Sequence, residues 1–126
     1  MSTTFDPTTI DRLRAAQEVE IGTHGARVGE PHRTIIWIVV DEQDRVLIRS
    51  VRGAAGRWYR DALADPRVSL EVDGRVIPAR VEVASDAERI AAASQALRTK
   101  YARARASLAA MLREETLPTT LELLPR

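Results

Sequence analysis

The spacing of apolar residues along this chain changes several times, and each change marks an element. Asp6-Pro7 followed by Ile10, Leu13 and Ala16/Gln17 has helical spacing, with proline near the first turn, and predicts a short amphipathic helix. Glu18 to Thr23 reads as a short strand. The stretch Thr23 to Pro31, with two glycines and a proline, reads as a loop. Arg33 to Val40 (RTIIWIVV) is the strongest strand signal. It is apolar on both faces, so it is expected at the centre of a sheet and covered on both sides. Asp41-Glu42-Gln43-Asp44 is a polar turn, and Arg45 to Val51 returns as the second arm of a hairpin. Gly53-Ala54-Ala55-Gly56 reads as a flexible turn ahead of a short helix, Arg57 to Ala64, which Asp65-Pro66 ends.

In Arg67 to Val72 the residues Val68, Leu70 and Val72 face one way and Arg67, Ser69 and Glu71 the other. Asp73-Gly74 is a two-residue hairpin signal, and Arg75 to Ala84 is the partner strand, where Pro78 implies an edge or a bulge. Ser85 with Glu88 forms a capping-box pattern. It opens an alanine-rich helix with a stripe at Ile90, Leu97, Tyr101, Ala104, Leu108 and Met111/Leu112. Nothing breaks that pattern before Pro118, so one helix and two remain open. Thr119 to Leu124 reads as a last strand. The order predicts a single α+β domain over residues 1–126, with helices outside a meandering antiparallel sheet. A strand as apolar as Arg33 to Val40 fits best in a barrel.

Composition excludes several classes. The 126 residues are 44% hydrophobic and 29% charged, which suits a folded globular chain and not a disordered one. With no cysteine there is no disulfide framework, thiolate metal site or cysteine nucleophile. Basic and acidic side chains number 19 and 18, so no overall field draws the chain to nucleic acid or an anionic membrane. Met1 to Arg14 lacks the apolar core of a signal peptide, and the longest apolar run, Ile35 to Val40, is far short of a membrane span. A cytoplasmic protein is expected. Of the basic residues, only Lys100 is not arginine. That ratio reflects an arginine- and alanine-rich background, so only a cluster with a positional reason is informative.

One cluster qualifies. Arg49, Arg52, Arg57 and Arg60 fall in a stretch without an acid that also holds Ser50, Gly53 and Trp58. It spans a strand end, a glycine turn and a helix start, which together offer N–H groups and guanidinium forks to an anion. Trp58 adds a flat face for a planar ring. The competing reading is a solvated turn whose arginines pair with Asp61, Asp65 and Glu71. Other candidates have plainer roles: His24 and His32 as polar loop residues, not metal ligands, and Asp41, Glu42 and Asp44 as a hairpin tip. Asp86 and Glu88 are read as helix-start carboxylates. Trp37 is read as core, Tyr59 and Tyr101 as packing, and Lys100 as a solvated helix face. No Ser-His-Asp set has a supporting context, so no catalytic residue and no metal ligand is assigned. A cofactor would carry any redox chemistry.

These residues resemble a family. Thr23, Gly25, Gly29 and Pro31 fit the pattern T-x-G-R-x-S-G-x-P, with Ala26 and Val28 in place of its arginine and serine. Ser50, Arg52 and Gly53 fit a basic strand end. Trp58, Tyr59, Leu63 and Pro66 fit W-Y-x-N-L-x-x-N-P, with Asp61 and Asp65 in place of its asparagines. The set resembles the flavin/deazaflavin split β-barrel oxidoreductases, relatives of pyridoxamine 5′-phosphate oxidase and of the deazaflavin-dependent nitroreductases. The resemblance covers about residues 18 to 84 and more loosely the final strand. It implies a split β-barrel of about six mainly antiparallel strands with peripheral helices, working as a homodimer. It also implies FMN or the deazaflavin coenzyme F-420 as cofactor, without deciding between them, and hydride transfer to a small electrophilic substrate. The implied cofactor-binding residues are Arg33, Thr34, Arg49, Ser50, Arg52, Gly53, Arg57 and Trp58. The alternative is a non-catalytic barrel that holds a phosphorylated or haem-like ligand.

Overall fold

The computed structural model describes residues 4–126; Met1 to Thr3, the start of the stretch read as leaderless, lie outside the described residues. Helix α1 (Pro7–Ala15) starts where Asp6 accepts a hydrogen bond from the Thr9 N–H at 2.8 Å, and it buries Ile10 and Leu13. Strands follow as β1 (Val19–Thr23), β2 (His32–Ile36), β3 (Val39–Val40) and β4 (Val46–Ile48). A 3-10 turn at Gly53–Ala55 leads into α2 (Arg57–Ala64). Then come β5 (Arg67–Val72), β6 (Arg75–Val83), α3 (Ala87–Lys100), α4 (Arg105–Met111) and β7 (Leu121–Pro125).

All strand pairs are antiparallel, and the sheet order is β2-β1-β5-β6-β7-β4-β3. Its two edges, β2 and β3, are consecutive halves of one segment interrupted only at Trp37 and Ile38. The sheet therefore curls until both edges meet in a single bent strand, which is the expected split barrel with seven strand segments where about six were anticipated. The central placement expected for Arg33 to Val40 is corrected: the segment forms both edges. Its apolar character has two sources. Ile36 and Ile38 point into the barrel, while Trp37 and Val39 join the layer beneath α3. At the other end Ile35 stays 62% exposed.

The barrel interior is filled by Ile21, Leu70, Val68, Leu121 and Leu123 from the strands, with Leu13 from α1 and Trp58 from α2. Each fully buried aliphatic side chain of this kind contributes about 2 kcal/mol. The Asp73-Gly74 hairpin forms as expected, both residues having positive φ (52° and 73°). Pro78 lies just beyond the reach of β7, which pairs only from Ala79 onward, so the expected edge position holds.

Several boundaries differ. Strand β4 ends at Ile48, three residues before the expected Val51, and the presumed flexible turn is an ordered 3-10 turn. The cap of α3 is Asp86, which accepts from the Arg89 N–H at 2.9 Å, and not Ser85. Glu88 turns instead to Arg45. The open question of one helix or two is resolved as two. Tyr101 leaves helical geometry although no glycine or proline is present. Its ring stacks on Trp37 (centroids 3.8 Å apart, planes 2° apart), and its hydroxyl accepts from the Ile38 N–H at 3.2 Å and donates to the Gln17 carbonyl at 2.8 Å. Tertiary contacts, not a breaker residue, stop the helix.

Lys100 is not the solvated residue expected. It is half-buried, and its Nζ donates to the carbonyls of Ile38 (2.7 Å) and Leu13 (3.2 Å). Burial, with a smaller effect from Arg14, holds its ammonium down to about 8. Above that pH the unfolded chain still binds the proton that the folded chain has lost, so folding stability rises with pH until the ordinary lysine range. Denaturant midpoints measured from pH 8 to about 9.5, below the ordinary tyrosine range, should increase, and Lys100→Met should remove that slope.

Candidate functional site

A groove of about 470 Å³ runs along the barrel wall where β2, the end of β4 and the start of α2 converge, with α4 as its far side. That volume is ordinary for a small-molecule site. Strand β2 supplies His32 and Thr34, and the bent strand supplies Ile36 and Trp37. The segment after β4 contributes Arg49, Ser50 and Arg52. Helix α2 contributes Arg57 and Trp58, and α4 contributes Ser107 and Met111.

Six of the eight anticipated residues thus line one groove: Thr34, Arg49, Ser50, Arg52, Arg57 and Trp58. Arg33 and Gly53 do not. Side chains alternate along β2, so Arg33 emerges on the other face, where it pairs with Glu71 at 3.0 Å and Glu20 at 3.4 Å. Gly53 is buried at φ +64°, and its carbonyl accepts from the Ser50 hydroxyl at 2.9 Å. Ser50 therefore spends its hydroxyl proton inside the turn. Gly56 is held against that same hydroxyl so closely that a Cβ would collide with it. Glycine at 56 is what lets α2 begin beside the groove. The helix has no side-chain cap, so its first N–H groups have no protein side chain to bind.

The arginines differ in kind. Arg49 is only 3% exposed and makes four hydrogen bonds, to Thr120 Oγ1 (3.0 Å), Ser94 Oγ (3.0 Å) and the carbonyls of Ile90 (3.1 Å) and Met111 (3.4 Å). All four acceptors are neutral. Among the described residues no carboxylate compensates its charge. Burial first, and the nearby Arg98 second, lower its pKa to about 10. Arg52 is exposed and makes no hydrogen bond or ion pair with any described residue. Arg57 reaches only Asp61, at 4.0 Å, and that carboxylate is shared with Arg27 at 3.8 Å and Thr23 at 3.3 Å. The solvated-turn reading holds only for Arg57, whose contact with Asp61 is long and shared, and not for Arg49 or Arg52. Asp65 is bound to Arg67 and Glu71 to Arg33.

The groove also holds residues that the sequence reading put elsewhere. Trp37, expected in the core, is half-buried and forms a wall. His32, read as a loop residue, lies on β2 and lines the groove. Ser107 and Met111 are about fifty residues away in sequence. The apolar stripe marked Met111, but not what it would face. Glu18 is the one carboxylate in the lining. Among the described residues no three potential ligands cluster as a metal site, and no helix is long and apolar enough to cross a membrane.

Comparison with known proteins agrees with this architecture. The family model described as "Uncharacterized protein conserved in bacteria (DUF2255)" matches residues 9–123. No protein of curated function matches the sequence. Among solved structures, an FAD-binding protein from Mesorhizobium loti superposes with a TM-score of 0.66 at 16% identity, covering 99% of this chain and 90% of that one. An F420-H2 dependent reductase (FDR-A) gives 0.60 at 18% identity, covering 86% and 93%. The heme storage protein HutZ from Vibrio cholerae gives 0.64 at 13% identity, covering 98% and 91%. At these identities the likeness is one of fold, the split barrel of flavin-binding proteins, within which haem is also stored.

A buried cation without a counter-ion is a poor device for stability, because desolvation opposes its charge. Arg49→Met, which nearly keeps the volume but leaves four acceptors without their donor, is expected to lower the unfolding free energy by about 2 kcal/mol. Arg49→Ala, which leaves a cavity, should cost about 3 kcal/mol. Guanidinium denaturation of both variants checks this contrast.

Proposed function

This chain belongs to the bacterial family DUF2255, and we propose that its groove binds a planar cofactor with an anionic tail, FMN or the deazaflavin coenzyme F-420. The observation that carries the proposal is the convergence of three guanidiniums on one apolar groove, Arg49 and Arg52 without a carboxylate partner among the described residues and Arg57 with only a shared contact to Asp61 at 4.0 Å. Arg60, Arg75 and Arg80 are also without a carboxylate among the described residues, so what marks these three is their convergence on one groove.

The donor set fits such a group. Arg52 is free to grip phosphate oxygens, Arg57 can join it by giving up its long contact with Asp61, and Arg49 adds a fixed positive potential from behind. The uncapped start of α2 adds N–H groups. Trp37, Ile36 and Met111 offer apolar walls to a ring system. Thr34 and the sliver of Trp58 that reaches the groove complete the lining, while Ser50 shapes the turn. When bound, the cofactor supplies hydride transfer to or from a small electrophilic substrate. The protein holds the ring in register with that substrate, excludes water, and steadies developing negative charge through its arginines. Ile35 and Val51, exposed on the groove rim at 62% and 41%, favour a second copy of the chain closing the open side.

One observation favours a second reading. His32 lines the groove and could ligate a haem iron whose propionates take the place of the phosphate. The absorbance spectrum of the purified protein, titrated in turn with FMN, riboflavin, F-420 and haemin, separates the two. FMN or F-420 should bind, with riboflavin at least tenfold weaker than FMN because it lacks the phosphate. Arg52→Ala should weaken binding by about 2 kcal/mol, as expected for loss of a charge-assisted bond. Retention of neither flavin nor deazaflavin would falsify the cofactor assignment, and a haemin-only spectrum would replace it with the haem reading.

A further inference from the structure

Lys100 is the single lysine among 19 basic side chains, in a chain that otherwise meets every need for a cation with arginine. Its surroundings supply the reason. Nζ donates to the Ile38 carbonyl at 2.7 Å and the Leu13 carbonyl at 3.2 Å, and lies 5.5 Å from the centre of the Tyr101 ring. No carboxylate of the described residues forms an ion pair with it. Two carbonyl acceptors match the two N–H groups of a neutral amine and leave its lone pair unused. A guanidinium, with five donors and no accessible neutral form, cannot take this role.

The side chain also lines a second cavity, of about 390 Å³, between α3 and the β3–β4 hairpin. Val39, Val40, Ala92 and Ala96 give it apolar walls, and Gln95 and Thr99 add polarity. The charged groups facing it are Arg14 from α1, Asp41, Glu42 and Arg45 from the hairpin, and Glu88 from α3. Arg45 is neutralised by Asp41 and Glu88, and Arg14 by Asp44. Glu42 has no basic partner among the described residues and Arg45 faces two carboxylates, so the rim is acidic on balance and the visitor that suits the desolvated amine is an uncharged one.

We propose that Lys100 is a carbonyl-reactive amine, a second chemistry-bearing site apart from the groove, which condenses with small uncharged aldehydes. The nitrogen lone pair attacks the carbonyl carbon and forms the C–N bond, and proton transfer gives a carbinolamine. Loss of water then gives the imine, with the aldehyde oxygen leaving together with both amine hydrogens. No oxidant or reductant is needed. Because the amine gives up both hydrogens, the Leu13 carbonyl loses its lysine donor and the Ile38 carbonyl keeps only the Tyr101 hydroxyl at 3.2 Å, so adduct formation also loosens the junction between α1 and the bent strand. Desolvation is one means by which lysines become nucleophiles near neutral pH, and here burial, with a smaller effect from the Asp44-paired Arg14, holds the ammonium down to about 8. About a tenth of the molecules then carry a free amine at pH 7, against roughly one in 2,500 for an ordinary lysine.

Propionaldehyde with cyanoborohydride traps the imine as a stable propylamine. Peptide mapping by mass spectrometry separates Lys100 from the α-amino group at the chain's start, the other amine that can react. At pH 7.5, Lys100 in the folded protein should be alkylated at least about tenfold faster than the same residue in protein unfolded by guanidinium chloride, and the folded rate should reach half its plateau near pH 8. A folded rate equal to or below the unfolded rate, or a midpoint in the ordinary lysine range, overturns the proposal. Neither result bears on the groove, since no groove residue takes part.

Discussion

Everything in this fold leans on how the backbone at Trp37 and Ile38 is satisfied. A strand that must serve as both edges of the same sheet has to bend, and at the bend it forfeits ladder hydrogen bonds. An unpaired buried N–H or carbonyl costs about 1–3 kcal/mol, so the bend persists only if side chains replace the missing partners. Tyr101 gives its hydroxyl to the Ile38 N–H and Lys100 gives its Nζ to the Ile38 carbonyl. The same two residues hold the Gln17 and Leu13 carbonyls, so the end of α1 is fixed by the groups that close the barrel. The departure of Tyr101 from helical geometry, and with it the separation of α3 from α4, follows from this demand.

The arginines sort by the company they keep. Arg89 ties α3 to β6 and β7 through Asp86, Glu82 and Glu122, and Arg45 ties the hairpin to α3 through Asp41 and Glu88. These are partly exposed networks that fix how elements sit more than they add to stability. Arg49 is different. It gathers β4, α3, the end of α4 and the start of β7 around one guanidinium, yet each acceptor is neutral. Its shape and its hydrogen bonds organise the packing, while its charge is left to act on the groove. Such a residue serves structure and electrostatics together, since an aliphatic side chain of its size would fill the space but leave the four acceptors unbonded.

The parts of the molecule legible in the sequence are those governed by local rules. The alternation of Val68, Leu70 and Val72, the Asp73-Gly74 turn and the limits of α2 all follow from side-chain period and turn chemistry, and each is found where the pattern puts it. The anion cluster was legible because strand end, glycine turn and helix start adjoin in the chain. Decisions made by distant partners were not. The RTIIWIVV segment reads the same whether it lies in mid-sheet or wraps from one edge to the other, because both arrangements cover Ile36 to Val39 on two sides. Arg33 adjoins Thr34 in sequence but not in space, as alternation sends one to a pair of carboxylates and the other to the groove. Lys100 looked like the end of a solvated helix because nothing local reveals that Leu13 and Ile38 approach it.

The bend also sets how the two cavities relate. Trp37 lines the groove and stacks on Tyr101, whose neighbour Lys100 lines the second cavity. Between them lies a single residue, Ile38, whose N–H bonds to the Tyr101 hydroxyl and whose carbonyl accepts from the Lys100 Nζ. A ligand pressing on Trp37 and a group attached to Lys100 would thus act on the same short piece of backbone from opposite sides. Coupling between sites requires a structural element that both can bias. Here that element is the interruption in the closing strand, which carries less ladder bonding than any other part of the barrel. A rigid ladder at these positions would have isolated the groove from the helical layer. The bent strand, held by two side chains in place of a neighbouring strand, joins them.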